Sequence, residues 1–135
     1  MIINGVNYVV YNNDIRIIIS KNDIETVILP SKINSIPLTR INYAAFKDCT
    51  NLKNVIIPNS VKSIGIFAFK NCTSLKNVVM SKNIKYIAPY AFANCANIKK
   101  IEIPKNAYIN DTAFIGCNIN FTNIWKGDKI YGTKI

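Results

Sequence analysis

The most informative absence in this chain of 135 residues is histidine, which does not occur at all. Without it the chain cannot build the histidine-based triads, zinc sites and proton shuttles on which many enzymes depend. Glycine is scarce, and neither a phosphate-binding glycine-rich loop nor a G-x-S-x-G nucleophile motif is present. The acidic residues are scattered, and no repeat-aligned pair offers acid–base chemistry. The sequence therefore predicts a protein that is not an enzyme and that has no cofactor and no metal.

Long hydrophobic runs are also missing. No apolar stretch approaches the ~18 residues that a membrane-spanning helix needs, and the first residues lack the basic and apolar regions of a secretory signal peptide. Half of all residues are nevertheless apolar, which argues against a disordered chain. We expect one folded domain over residues 1–135. Its expected location is the cytoplasm as synthesised, or a virion if the protein is viral, and a cell-surface location stays open.

Negative charge is in short supply, because seven acidic residues face 17 basic ones and leave a net charge of +10. Nearly all of the positive charge is lysine, since Arg16 and Arg40 are the only arginines. An excess of this size suits an anionic partner. Ile, Asn and Lys together make up 61 of the 135 residues, however, so an A/T-rich coding bias explains the same charge. Both explanations stay open at this point.

What the chain does contain is a repeat with a period close to 23 residues. An Ala-Phe pair recurs, and a cysteine follows three residues after each phenylalanine. The aligned positions are Ala45-Phe46, Ala68-Phe69, Ala91-Phe92 and Ala113-Phe114, with Cys49, Cys72, Cys95 and Cys117. A single unit of this length cannot bury its own phenylalanine and cysteine, so the repeat predicts stacked units that share one core.

Each repeat unit divides into a strand and a turn. In the unit that begins at Leu52, the pattern L-x-x-V-x-I directs Val55 and Ile57 to one side of an extended segment. Pro58 then ends the strand, because it has no N–H to donate to a ladder. The Ala-Phe-x-x-Cys segment predicts a tight helical turn that directs Phe and Cys inward. Stacking of such units predicts a right-handed, β-dominated solenoid with its four repeat phenylalanines in one internal ladder.

These motifs resemble those of the BspA-like leucine-rich-repeat family. The resemblance is carried by L-x-x-V-x-I-P, V-x-x-I-G and A-F-x-x-C, which lie here at residues 52–58, 61–65 and 68–72. It extends over roughly residues 24–118. The resemblance implies a curved leucine-rich-repeat solenoid that is used for binding, often at cell surfaces, and that has no catalytic residues.

Both ends of such a solenoid need caps, because open ends expose core and strand edges. Residues 6–11 and 15–20 predict a hairpin, which makes 1–23 the N-terminal cap. About four leucine-rich repeats follow over residues 24–118. The repeat then ends, and hairpin signals around residues 126–129 make 119–135 the C-terminal cap. An alternative interpretation of this last segment is an aromatic docking segment for a partner or a sister subunit, with Trp125 and Tyr131 as its anchors.

The outward side chains of the main strands predict the binding surface, on the presumed concave face. They form an aliphatic column flanked by polar residues, which is typical of protein-docking surfaces, although single exposed aliphatics on a sheet are also ordinary. The candidate partner-binding residues are Ile28, Asn54, Ile56, Asn77, Val79, Lys100, Glu102, Trp125 and Tyr131. The cysteine column predicts buried apolar packing, and a bridge between neighbouring coils or a metal site is the alternative.

Three functions remain open from the sequence. The first is a non-enzymatic module that presents its concave repeat surface to another protein. The second is a structural component of a larger assembly, such as a phage or virus particle. The third is a basic adaptor for nucleic acid or another polyanion, for which the column of Lys53, Lys76 and Lys99 is suited, although we expect no aromatics among the lysine columns. Self-association through the terminal caps is possible in each case.

Overall fold

The computed structural model describes residues 1–18 and 23–119 and the backbone of residues 124–125. Strands and turns account for the regular structure of these residues, and no helix occurs among them. The strands are β1 (Ile2–Ile3), β2 (Val6–Tyr11), β3 (Asp14–Ile18), β4 (Thr26–Ile28), β5 (Lys32–Ile33), β6 (Ile36–Pro37), β7 (Arg40–Ile41), β8 (Asn54–Ile56), β9 (Ser63–Ile64), β10 (Asn77–Val79), β11 (Tyr86–Ile87), β12 (Ile101–Glu102), β13 (Tyr108–Ile109) and β14 (Ile124–Trp125).

The predicted N-terminal hairpin is present as β2 and β3, which pair antiparallel with Tyr8 opposite Ile17. Asn12 and Asn13 form its two-residue turn with φ angles of 51° and 59°, and asparagine tolerates this left-handed region better than most residues. A third strand, β1, pairs antiparallel with β2 and was not foreseen. The alternating apolar side chains of β2 and β3 enter the core. Residues 19–20 of the expected second strand lie outside the described residues.

Two parallel sheets run along the solenoid. One has the order β10-β8-β4 and the other the order β13-β11-β9-β7, while β5 and β6 form a small hairpin inside the longer first repeat. Pairing follows the repeat, because Val27 lies opposite Val55 and Val55 opposite Val78. Within these two sheets, neighbouring strands are therefore equivalents from successive coils. The predicted leucine-rich-repeat solenoid is confirmed.

The four repeat phenylalanines form the internal ladder that their spacing predicts. The ring centroids of Phe46 and Phe69 lie 5.1 Å apart, those of Phe69 and Phe92 5.0 Å, and those of Phe92 and Phe114 5.1 Å. The planes of neighbouring rings differ by only 7°, 6° and 2°. All four side chains are buried. The coil-to-coil spacing of a parallel sheet, about 4.8 Å, is thus carried through the core as a stack of parallel rings.

The segment that carries each phenylalanine differs from the predicted helical turn. Alternate amides bond in different directions. The Phe46 N–H donates to the Ala68 carbonyl of the next coil at 2.7 Å, whereas the Lys47 N–H donates to the Ala44 carbonyl of its own coil at 3.2 Å. Ala44 and Asp48 have φ angles of 55° and 63°. A helix cannot form here because half of its amides are committed to the neighbouring coil, although Phe and Cys still point inward as predicted.

The strand periodicity reaches further than the sequence indicated. β14 pairs in parallel with β12, with Ile124 opposite Ile101 and Trp125 opposite Glu102. The two strands are one repeat period apart, so the repeat continues beyond residue 118. The predicted hairpin at residues 126–129 lies outside the described residues. The division into a cap over 1–23, repeats over 24–118 and a cap over 119–135 stays a prediction.

Candidate protein-interaction surface

The outward side of β4, β8 and β10 forms one surface, which we call the strand face. Ile28, Ile56 and Val79 are 54%, 40% and 56% exposed and form an aliphatic column across three coils. Val27 and Val55, on the inward side of the same strands, are only 1% exposed. The alternation of a strand therefore directs one set of side chains into the core and leaves the other free for contact. The strand face comprises Thr26, Ile28, Asn54, Ile56, Asn77 and Val79.

A hydrogen-bonded polar ladder runs beside the aliphatic column. The Asn77 Nδ2 donates to Asn54 Oδ1 at 2.7 Å, and the Asn54 Nδ2 donates to Thr26 Oγ1 at 3.1 Å. Each link joins one coil to the next. Because these bonds fix the side-chain rotamers, little side-chain freedom is left to lose when a partner binds. The polar column of the strand face is consequently preorganised.

A cleft separates β10, the last strand of the sheet β10-β8-β4, from β12 of the next coil. The Ile57 N–H donates to the Val79 carbonyl at 2.8 Å across β8 and β10, but within the described residues no backbone hydrogen bond joins β10 to β12. The other sheet stays intact at the same coils, where Ile87 pairs with Ile109. The opening is a cleft of about 1140 Å³. Its lining includes Lys76, Asn77, Val78, Val79, Met80, Ser81, Lys82, Asn97, Lys99, Lys100, Ile101, Glu102, Ile103 and Pro104.

The cleft is positively charged. Its described lining contains four lysines and one carboxylate, Glu102. Lys100 Nζ lies 3.7 Å from a Glu102 carboxylate oxygen, but both side chains are about 70% exposed, so water screens the pair strongly. Among the residues that the structure describes, Lys76, Lys82 and Lys99 have no carboxylate within 4.0 Å. Three uncompensated positive charges therefore lie beside the partly exposed Val78 and Val79.

The sequence-predicted site residues fall into two groups. Ile28, Asn54 and Ile56 lie on the strand face away from the cleft, whereas the other predicted residues of the strands line the cleft. The cleft-lining group is Asn77, Val79, Lys100 and Glu102. The backbone of Trp125 pairs with that of Glu102, while the Trp125 side chain and all of Tyr131 lie outside the described residues. The repeat pattern does not predict the cleft. The one local difference in the sequence is Ser81, which stands where the other repeats have proline.

A second feature that the sequence reasoning missed is an aromatic row on the turns. Tyr43, Phe67 and Tyr90 stand on successive coils, with neighbouring ring centroids 5.6 Å apart. Lys70 Nζ lies 4.8 Å and Lys47 Nζ 5.6 Å from the Phe67 centroid. The expectation that lysine columns contain no aromatics is therefore wrong here, because residues distant in the repeat become neighbours when coils stack. These cation–π contacts hold both lysines beside the Phe67 ring.

The cysteine column is buried packing, as predicted. The Cys72 thiol donates to the Phe46 carbonyl and the Cys95 thiol to the Phe69 carbonyl, each at 3.1 Å, so every such thiol ties its coil to the one before. Burial raises the pKa of Cys49 to about 12, and the neighbouring Cys72 and Asp48 add to the effect. The described cysteines carry no disulfide. In the same part of the chain, no three His, Cys, Asp or Glu side chains cluster closely enough to ligate a metal ion.

Over the described ranges, the structure has no helix of the length and hydrophobicity that crossing a bilayer requires.

Comparison with known proteins agrees with this architecture. A family model described as "BspA type Leucine rich repeat region (6 copies)" matches residues 18–134. A leucine-rich repeat protein from Bacteroides capillosus is 27% identical, with a TM-score of 0.77, over 93% of this chain and 96% of that one. One from Bacteroides ovatus is 26% identical, with a TM-score of 0.78, over 88% of this chain and 33% of that one. The T. pallidum leucine-rich repeat protein shares the fold at 21% identity and a TM-score of 0.65, over 85% of this chain and 68% of that one. No protein with a curated description matches the chain.

Proposed function

Because the chain belongs to the BspA-type leucine-rich-repeat family, we propose that it is a non-enzymatic protein-binding module whose partner docks on the strand face. Repeat folds of this kind are typical of protein-binding modules, since stacked units create extended surfaces. The observation that carries the proposal is the column of Ile28, Ile56 and Val79, which is exposed although the remaining apolar side chains of these strands are buried or half-buried.

The column and the ladder beside it have complementary roles. The aliphatic side chains provide the apolar area whose burial drives association, at roughly 25 cal/mol per Å². The Asn54 amide already bonds to Thr26 and Asn77, so a partner need not satisfy every polar group that it covers. A polar margin around an aliphatic centre is the usual arrangement of a protein interface. The partner is therefore a protein with a matching apolar surface.

A photo-crosslinking amino acid at Ile56 tests where the partner docks. In cells that produce the protein, we expect the cross-linker at Ile56 to capture a protein that the same cross-linker at Lys85 does not. Lys85 is an exposed residue immediately before β11 of the other sheet. The purified partner is then measured against Ile28→Lys with Ile56→Lys. We expect a loss of affinity of at least about tenfold, since two charges would be buried in an apolar contact.

Lys62→Gln with Lys85→Gln is the matched control, because both residues are exposed and lie away from the strand face. Circular dichroism establishes that every variant is folded. Unchanged affinity in the Ile28/Ile56 variant would show that the partner docks elsewhere and would overturn the proposal.

A further inference from the structure

We propose that the cleft between β10 and β12 binds an extended, acidic segment of the partner protein in which acidic and apolar residues alternate. The inference rests on the proposed function and makes it more specific, because it assigns the chemistry of the segment that this protein recognises. Two properties of the cleft carry it: apolar side chains that the opening leaves partly uncovered, and an excess of positive charge.

The strand edges in the cleft lack the bonds that their equivalents make. The Lys76 N–H donates to the Lys53 carbonyl at 3.0 Å across the preceding coils. Within the described residues, the equivalent bond from Lys99 to Lys76 is absent, as is the one from Met80 to Glu102. The missing bonds mark the place where the coils that carry β10 and β12 part.

The width of the cleft determines how a segment would lie. Cα atoms of β10 and β12 approach within 8 Å of each other. A third strand in the plane of the sheet would need the two strands about 9.6 Å apart, which is twice the ordinary strand spacing. The segment therefore lies along the mouth and directs alternate side chains into the opening. Because side chains of an extended chain alternate with period two, one set enters and the other faces the rim.

The two sets meet different surroundings. Side chains directed toward the cleft meet Val78, which is half-buried, and Val79, which is 56% exposed, so they are apolar. Side chains at the rim meet Lys76 and Lys99, so carboxylates complement them. Val78 is half-buried, whereas its equivalent Val55 is 1% exposed, which means that the opening uncovers apolar surface that a ligand can cover again. Among the described residues, neither arginine nor an aromatic side chain lines the cleft, so this part of the lining offers no group that stacks on or reads nucleic-acid bases.

Fluorescence anisotropy with a defined probe tests the inference. The probe is a fluorescein-labelled peptide of six Glu-Val pairs, and a peptide of six Lys-Val pairs and a 12-nucleotide oligothymidylate are measured beside it. We expect the Glu-Val peptide to bind the full chain, and Lys76→Gln with Lys99→Gln to weaken it about tenfold, as for the loss of two charged contacts. The charge-matched Lys62→Gln with Lys85→Gln, which lies outside the cleft, should retain wild-type affinity.

Each other outcome overturns the inference. Equal weakening by both double variants would show that net charge, and not the cleft, attracts the peptide. Tighter, Lys76- and Lys99-dependent binding of the oligothymidylate would identify the cleft as a nucleic-acid site. Equal binding of the Lys-Val peptide, or no binding of the Glu-Val peptide, would show that the cleft does not recognise an acidic segment. None of these results changes the Ile28/Ile56 experiment, so failure of this inference is distinguishable from failure of the proposed function.

Discussion

The side-chain amide of Asn42 makes two hydrogen bonds to the backbone of Ile17. Its Oδ1 accepts from the Ile17 N–H at 2.7 Å, and its Nδ2 donates to the Ile17 carbonyl at 3.1 Å. Ile17 lies in β3, the outer strand of the N-terminal sheet, so the amide completes an edge that would otherwise have open backbone groups. Arg40 adds an ion pair to Asp14 of the same strand at 2.6 Å. These contacts attach the N-terminal sheet to the first coil.

Replacement of Asn42 by alanine should destabilise the protein by about 1–3 kcal/mol, because the Ile17 N–H and carbonyl lose their partners in a partly buried position. Asn42→Asp should also destabilise, since a carboxylate can accept from the N–H but repels the carbonyl. Urea unfolding measures both. The exposed Asn106→Ala is the control and should change stability by less than about 0.5 kcal/mol. If Asn42→Ala matched that control, the amide would not be attaching the sheet.

Truncation of Phe69 to alanine should cost roughly 3–5 kcal/mol of unfolding free energy, as for a fully buried phenylalanine. Phe69 stacks on Phe46 and Phe92, so its loss leaves a cavity between two coils that the repeat cannot close. Phe69→Leu fills part of this space and should cost less. Thermal and urea unfolding provide the values. A loss below about 1 kcal/mol for the alanine variant would contradict a continuous ladder.

Stability should fall as the solution is acidified, in part through Asp14. The hydrogen bond from Arg40, with a smaller contribution from Arg16, holds the pKa of this carboxyl below its ordinary value. A carboxyl whose pKa is lower when folded stabilises the protein above its unfolded pKa of about 3.9, and this contribution is lost as pH falls through the folded value.

Asp14→Asn should therefore flatten the loss of stability below about pH 4. The pair is exposed to solvent, so the effect should not exceed about 1 kcal/mol. Urea unfolding at pH 7 and near pH 2.5 measures it. Arg40→Gln should flatten the same part of the curve, because it removes the partner. A wild-type slope in both variants would mean that the ion pair does not contribute.

The cysteines should resist alkylation in the folded protein. The thiolate is the reactive form, and burial raises the pKa of Cys49 to about 12 and that of Cys117 to about 11. Cys117 is half-buried while the other three are buried, so iodoacetamide should modify Cys117 first. Peptide mass spectrometry follows the order, and protein unfolded in urea should react at all four positions. Early modification of Cys72 or Cys95 would contradict the buried column.

Much of the fold was predictable because a repeat encodes its own packing. Phe46 and Phe69 occupy the same position in successive units, and only a neighbouring unit can cover each ring. The outward direction of Ile28 and Ile56 follows from strand alternation alone. The helical turn predicted for the Ala-Phe-x-x-Cys segment was wrong, because its hydrogen bonds depend on the neighbouring coil and not on spacing along the chain. Whether the Phe46 amide bonds within its own coil or to Ala68 depends on how close the next coil lies, and local sequence does not specify that distance.

The sequence by itself determined the period, the identity of the core side chains and the face on which the aliphatic column lies. These depend on spacing along the chain, and burial of an apolar side chain is favourable wherever stacking permits it. Only the tertiary structure decided where the stack opens. The cleft beside Val78 and Ile101 and the approach of Lys70 to Phe67 depend on the distance and angle between particular coils. Two successive coils can pair in one sheet and separate in the other. The distance and angle between them therefore depend on charge, packing and hydrogen bonding across all the stacked coils.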